Sequence, residues 1–466
     1  MNPFKEIFKE QKRHFRENIK NSSANERIVK IKKIRNWLLN NKQAIRDALY
    51  KDFKKAEVEV DLSEIKAVLL EIDYAIQHLK KWMKPKRVPT PLLLLGTRSH
   101  IRYEPKGVSL IIAPWNFPFL LSVTPLVSAI AAGNCVILKP SEISFHSSDL
   151  LLKMSQELFP AHEIKVVLGG KDESTDLLKL PFNHIFFTGS THVGKIVMKA
   201  AAENLASVTL ELGGQNPVIV DETARINDTA KRLIYGKLIN HGQACVSINF
   251  IFVHRRIYDK LIQALKDELD QRFPGNKQQN PDYARAINLK QFTHVKSLID
   301  DAIEKGAQAV TDVSFDESDL FINPVILKDT PLNARVFDEE IFGPLLPLTV
   351  YDKLDQVIDF INSKESPLAL YIFSQSRKNI SKVLNHTTSG TAAINETTLQ
   401  FGQTYLPFGG INSSGIGKSH GYHSFLEFSN ERAILKQKNG FSTARLIQPP
   451  FNKKVKRIVK LILKYL

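Results

Sequence analysis

The chain has 466 residues, 43% of them apolar, enough for two or three domains with sizeable cores. Its two cysteines, Cys135 and Cys245, exclude a disulfide framework, and with no secretory leader and no run near the ~20 apolar residues of a membrane span, a cytoplasmic setting is expected. The net charge of +16 lies at the ends: residues 1–55 carry 16 Lys or Arg against 6 Asp or Glu, residues 453–466 carry six and no acid, and the neutral body between them offers no basic groove for nucleic acid.

Residues 1–85 read as helices, with Ile28, Ile31, Ile34 and Leu38 at helical spacing and the pattern continuing over 62–79. Pro85, Pro89 and Pro91 break it, and a strand-like arm follows at 101–103. Short apolar runs at 108–112, 136–138, 164–168, 185–187 and 208–212 then alternate with helical stretches. That alternation predicts parallel βαβ units with helices on both sheet faces. The turn at Gly213-Gly214 is the best candidate for a domain boundary, and a second series follows at 217–220, 250–253, 368–373 and 391–395.

The chemistry-bearing residues sit at the ends of these runs. Asn116, in Pro114-Trp115-Asn116-Phe117-Pro118, is on a rigid turn where its amide can donate to a developing oxyanion; read alone, it satisfies its own turn. Lys139 and Glu142 close a strand and can face ribose hydroxyls, or form a plain surface ion pair. Thr188-Gly189-Ser190 is a strand end, tight turn and helix start, where free N–H groups meet an anion, although it is not the full glycine fingerprint of a dinucleotide fold. Glu211 ends an apolar strand 34 positions before Cys245, which follows the flexible Gly242-Gln243-Ala244. A thiolate there can attack a carbonyl, and the carboxylate can draw a proton from water to release an acid. Cys135, at the head of a strand, reads as a small buried hydrophobe. Glu340 and Phe342 place a carboxylate beside a ring, or form a helix end with a buried Phe. The glycine-dense segment 406–417 can line a substrate funnel or serve as a turn cluster. None of the 13 histidines has metal-ligand spacing with a cysteine, so no metal is assigned.

In chain order the strings Pro-Trp-Asn-Phe-Pro, Leu-Lys-Pro-Ser-Glu, Phe-Thr-Gly-Ser, Glu-Leu-Gly-Gly, Gly-Gln-Ala-Cys, Glu-Ile-Phe-Gly-Pro and Pro-Phe-Gly-Gly resemble the NAD(P)-dependent aldehyde dehydrogenase superfamily, over about residues 5–450. The compact length, Phe-Phe-Thr-Gly-Ser and the ending His420-Gly421-Tyr422-His423-Ser424-Phe425 resemble its class 3, fatty-aldehyde-type branch. The resemblance implies an α/β fold with a Rossmann-like dinucleotide-binding domain (1–85 and 104–212), an α/β catalytic domain (213–424), a bridging β arm used for dimerisation (86–103 and 425–447) and a tail (448–466). It implies Cys245 as nucleophile, Asn116 with the Cys245 N–H as oxyanion hole, and Glu211 as base for deacylation. Lys139 and Glu142 would meet the adenosine ribose, Gly189 and Ser190 the pyrophosphate, and Glu340 with Phe342 the nicotinamide half; Trp115, Thr188 and Val193 complete the cofactor-contacting set. Glu142 favours the free 2′-hydroxyl of NAD, with NADP also used in this branch. The implied reaction oxidises a small-molecule aldehyde, of medium or long chain or otherwise hydrophobic, to its carboxylate in a homodimer. The same cysteine would serve a CoA-acylating dehydrogenase, and a non-catalytic membrane-associated protein with this fold is a third reading. Gln215-Asn216, His241 and Ser247-Ile248-Asn249 depart from the usual pattern around the nucleophile.

At the C-terminus Lys453, Arg457, Lys460 and Lys464 share one helical stripe, and Val455, Val459, Ile462 and Leu466 the opposite one. Such a basic amphipathic helix suits the anionic inner face of a membrane, at about 1 kcal/mol per basic residue, or docking on a partner subunit.

Overall fold

Two parallel sheets organise the chain, which the computed structural model describes over residues 2–440 and 442–465. The first contains β1 (Val108–Ile112), β2 (Cys135–Lys139), β3 (Ile164–Val166), β4 (His184–Gly189) and β5 (Ser207–Leu212), ordered β5-β4-β1-β2-β3. Their side chains split by the two-residue period of a strand. Ile111, Val136, Leu138 and Phe186 join a core with helices Ala24–Asn40, Ala67–Trp82 and Pro118–Ala132. Leu110, Ile137, Ile185 and Phe187 pack on the other face against helices Lys5–His14 and Thr191–Ala202. A sheet covered on both faces has no polar alternation, which is why these strands read as continuous apolar runs.

The second sheet is built from β6 (Pro217–Val220), β7 (Phe250–His254), β8 (Val325–Lys328), β9 (Leu345–Tyr351), β10 (Ala369–Phe373) and β11 (Thr391–Ile394), all parallel in the order β8-β9-β7-β6-β10-β11. The sequence reading had four of these strands and lacked β8 and β9. Pro347 sits inside β9, paired with Leu327, and proline inside a run argues against a central strand. The chain crosses from the first sheet to the second through residues 213–216, then returns late: Gly415–Ile416 adds to the β5 edge in antiparallel register, Gly415 opposite Glu211.

A separate three-stranded antiparallel sheet joins Lys86–Val88, Thr97–Pro105 and Ser429–Gln437, the last two paired over nine residues. Residues 425–427, expected in this arm, belong instead to helix Gly421–Glu427. Lys453–Tyr465 forms the expected terminal helix, but Val455 is buried and Ile462 half-buried, while Leu461 and Leu463 are exposed. Leu466, the last member of the expected apolar stripe, lies outside the described residues.

In the first sheet the strand order reverses direction between β1 and β4. At that switch point the carboxyl ends leave a crevice. The segments after β1, β2 and β4, and the end of β5, carry Asn116, Lys139, Ser190 and Glu211 to its rim.

Candidate active site

Cys245 lies in a turn between helix Ile226–Leu238 and β7. The three residues Asn240, His241 and Gly242 before it take left-handed backbone, with φ of 51°, 58° and 76°. At Gly242 a Cβ would strike the Gly343 carbonyl, so only glycine fits. Non-glycine residues in this region cost about 1–3 kcal/mol each, and surrounding contacts hold them there. Asn240 N donates to Glu59 Oε1 at 2.6 Å, Gln243 Nε2 to Arg285 O at 3.0 Å, and Ile287 N to Gln243 Oε1 at 3.0 Å. On the far side, Asn216 Nδ2 donates to the carbonyls of Cys245 (2.7 Å) and Ser247 (2.8 Å), while its Oδ1 accepts from Ala369 N. Tyr371 Oη donates to Val246 O, and the buried Lys237 Nζ to Ile248 O, both at 2.6 Å. Asn249 ties the same segment to Val336 O and Ile341 N.

The thiol held by this frame is partly exposed, whereas Cys135 is buried in β2. Burial pushes the Cys245 thiol up to about 12, with the neighbouring Glu340 and Glu211 carboxylates adding to the rise. The resting group is therefore SH rather than the ionised sulfur expected of an activated nucleophile, and reaction needs a base or a nearby positive charge. The Glu211 carboxyl lies nearby and adds to the rise. Burial raises this carboxyl to about 8, only partly opposed by a long hydrogen bond with the Ser419 hydroxyl and by Lys418, and neither of its oxygens has a close partner.

Asn116 is buried, and its Nδ2 donates to Gln243 O at 3.1 Å while its own carbonyl accepts from Asn240 Nδ2 at 2.7 Å. A side-chain amide carries two N–H groups, so one is committed to the nucleophile turn and one remains to meet an oxyanion. Pro118, two residues on, opens helix Pro118–Ala132.

Two cavities meet at Cys245. One, about 690 Å³, is a wide opening walled by apolar side chains, among them Phe117, Leu120, Ile234, Leu238, Leu399 and Phe401, with Glu59, Arg272 and Asp282 among its few charged groups. The other, about 30 Å³, is narrow, and beside apolar side chains such as Leu121, Leu212 and Phe408 it is lined by Thr188, Glu211, Ser419, His420 and Glu71. Segment 406–417 does not line the large cavity, contrary to expectation. Its glycines serve close packing around Glu211 instead: a Cβ on Gly409 would come within 3.2 Å of Glu211 Oε1, and one on Gly410 would collide with the Ser414 carbonyl. The funnel wall comes from the preceding residues Thr398, Leu399, Phe401 and Gly402.

The residues expected to meet a cofactor fall into three groups. Lys139 is buried at the end of β2 and its Nζ donates to the half-exposed Glu142 Oε2 at 2.9 Å. This pair offers both a cation and a carboxylate to ribose hydroxyls. Ser190 caps helix Thr191–Ala202, accepting from Val193 N at 3.4 Å, and Val193 is exposed on its first turn. Gly189 before it has no room for a side chain, since a Cβ would sit 2.6 Å from the Phe187 ring. Nearest the thiol, Trp115 and Phe342 meet edge to face at 5.4 Å, and a Cβ on Gly213 would collide with the Glu340 carboxylate. Burial lifts Glu340 to about 7 against the pull of Lys237. The alternative reading of this stretch as a helix end fails: only the short turn Arg335–Phe337 precedes an irregular loop, in which Phe342 has φ 49°. The three groups are a cation–carboxylate pair, a helix N-terminus behind a glycine and a carboxylate beside two rings. Thr188 departs from the phosphate end, because its side chain faces the small cavity with Cys245.

The profile of the aldehyde dehydrogenase family matches residues 3–434. The chain belongs to that family. It is 42% identical to the 4,4′-diaponeurosporen-aldehyde dehydrogenase of Staphylococcus aureus over 436 residues, 93% of each protein. It is 39% identical to aldehyde dehydrogenase family 3 member B1 of Rattus norvegicus over 439 residues, 94% of this chain and 92% of that protein, in keeping with the class 3 resemblance. Among solved structures, a substrate-bound Staphylococcus aureus AldH superimposes with a TM-score of 0.95 at 40% identity, over 99% of this chain and 100% of that one.

Within this dehydrogenase several positioning residues escaped the sequence reading. Asn216 and Asn249, which stood out there as departures, are the clamps on the nucleophile turn, and Tyr371 and Lys237 join them from distant elements. His241 does not reach either cavity. It is buried against the Tyr283 ring at 5.0 Å, and burial together with Arg285 lowers its pKa to about 3.

Proposed function

We propose that this aldehyde dehydrogenase oxidises hydrophobic, medium- to long-chain aldehydes to carboxylic acids with NAD, using Cys245 as nucleophile, Asn116 with the Cys245 N–H as oxyanion hole, and Glu211 as the base for deacylation. The observation that carries the reading is Cys245 at the junction of a large apolar cavity and a small one holding an unpaired, protonatable carboxylate. The first accepts a hydrocarbon chain, and each methylene buried there contributes about 0.8 kcal/mol. The second keeps Glu211 where it can take a proton.

Lys139 and Glu142 would hold the adenosine ribose, Gly189 and Ser190 the pyrophosphate, Glu340, Phe342 and Trp115 the nicotinamide half, with Thr188 and Val193 bordering it. NAD, when bound, supplies the hydride acceptor. Cys245 gives its thiol proton to water in the open cavity and adds through sulfur to the aldehyde carbon, and Asn116 and the Cys245 N–H steady the oxygen. Glu211 then takes a proton from the water that cleaves the thioester, freeing the acid and the sulfur.

The first sheet with residues 1–85 and 106–212 is read as the dinucleotide-binding domain, 213–427 as the catalytic domain, and 86–105 with 428–447 as the arm. Ser429–Gln437 is a nine-residue outer strand of the arm, mostly exposed, and such an edge suits pairing with a second copy in a homodimer. Among the described residues no helix is long and apolar enough to cross a membrane. The tail helix 453–465, with exposed Leu461 and Leu463 beside its basic face, would rest on an anionic surface.

The test is NADH formation against aldehydes of increasing chain length, with the product identified. Rising kcat/KM with length and a free acid as product support the reading. Acyl-CoA formed only when CoA is supplied would replace it with acyl transfer to a thiol, and flat length dependence would remove the hydrophobic substrate class.

A further inference from the structure

The catalytic roles above leave one buried group in the small cavity without a task. His420 is 6% exposed and its Nδ1 lies 2.7 Å from Oε1 of Glu71, itself 5% exposed. The second Glu71 oxygen accepts from Gly421 N at 2.9 Å, so the carboxylate is held at both ends. A carboxylate accepts, which places the ring proton on Nδ1 and leaves Nε2 with its lone pair. That Nε2 is buried and has no hydrogen-bond partner. Both oxygens of Glu211 are also buried without a close partner, the Ser419 hydroxyl being a distant one, and all of these residues, with Cys245, border the same small space of about 30 Å³. A volume above about 10–15 Å³ holds a water when polar partners surround it, and unpaired polar atoms facing such a space are what a buried water satisfies.

The ring is fixed as well as placed. Phe401 and Phe408 meet it edge to face at 4.6 and 5.3 Å. Its backbone has φ 70°, a conformation that costs a histidine about 1–3 kcal/mol and persists only where the surroundings enforce it. Strain kept beside a catalytic cavity points to a placed side chain.

We propose that His420, oriented by Glu71, takes over the proton that Glu211 abstracts during thioester hydrolysis, through water in the small cavity, and so returns Glu211 to its basic form. The inference rests on the proposed roles of Cys245 and Glu211. In that step a water oxygen bonds to the acyl carbon, the carbon–sulfur bond breaks and Cys245 leaves with the electron pair. The proton of the attacking water passes to Glu211, then by way of the intervening water to His420 Nε2, and Glu71 balances the imidazolium that forms. Glu71 is a positioning residue; His420 meets the reacting proton.

The test uses the full-length protein and three variants: His420→Asn, which tolerates positive φ, His420→Gly and Glu71→Gln. Pre-steady-state bursts of NADH are compared with steady-state turnover. The expected result is a full burst in every variant, with turnover down about 10²-fold for His420→Asn and about 10-fold for Glu71→Gln. Hydroxylamine, which cleaves a thioester without a protein base, should restore turnover, and added imidazole should partly rescue His420→Gly. Unchanged turnover in His420→Asn, or burst and turnover falling together with a lower Tm and no rescue, would overturn the proposal. A surviving burst in Cys245→Ser would instead sink the reading beneath it.

Discussion

The two cavities that meet at Cys245 differ about twentyfold in volume, and they divide the chemistry between them. The large one is walled by hydrocarbon and open, so it selects by area and has little say in proton transfer. The small one has room for a water or two and borders Glu211 and Cys245, whose pKa values burial moves far from their ordinary range, so it bears on proton transfer and has no space for substrate. Placing the nucleophile on the wall between them lets substrate range and reaction rate be altered separately, and substitutions on the two sides should produce different kinetic signatures.

The largest effect comes from removing what both sides share. Cys245→Ser should lower turnover on the order of 10⁴-fold or more and abolish the NADH burst for every aldehyde. On the enclosed side, Glu211→Gln should cut steady-state turnover by about 10²–10⁴-fold while a burst remains, and equal loss of both would mean that Glu211 also serves the first step. Asn116→Ala should cost about 10²–10³-fold in kcat/KM irrespective of chain length, through the lost oxyanion donor and the released Gln243 carbonyl. On the open side, Leu399→Trp should raise KM about 10-fold for long aldehydes and leave the shortest unchanged, since it removes room for a few methylenes at about 0.8 kcal/mol each. An equal effect at all lengths would break the division.

The smallest effect is on stability. The Glu211 carboxyl is raised from 4.5 to about 8 in the folded protein, so the unfolded chain ionises first as pH climbs. Stability held in the neutral carboxyl is whole below about 4.5 and is lost as pH rises toward about 8. Glu211→Gln should erase that slope, matching the parent protein in Tm at pH 4.5 and exceeding it by a few degrees at pH 8. A parallel pH profile in the two proteins would show that Glu211 ionises freely.

Much of the first sheet was legible because each of its strands is buried on both faces and so appears as an unbroken apolar run. β9 was not, because Pro347 occupies a ladder position that local propensity forbids and only its place between β7 and β8 sustains. The proposed reacting groups stand out in the sequence for a similar reason: Cys245, Glu211 and Asn116 lie at strand ends or turns with distinctive neighbours. Their supports were hidden. Asn216 reaches Cys245 across 29 positions, Tyr371 reaches Val246 across 125, and His420 finds Glu71 across 349. Nothing in the local spacing of these residues announces a partner so far away. The glycines of 406–417 were visible as glycines, but whether their small size served a substrate or a neighbouring backbone depended on Gly415 pairing opposite Glu211.

The frame around the nucleophile has a consequence for biogenesis. Its ties come from Glu59 near the N-terminus, Asn216 between the sheets and Tyr371 late in the chain, so the sulfur acquires its setting only when all three have been synthesised and docked. A nascent or half-assembled polypeptide carries the same cysteine without the turn geometry and neighbouring groups that this frame supplies.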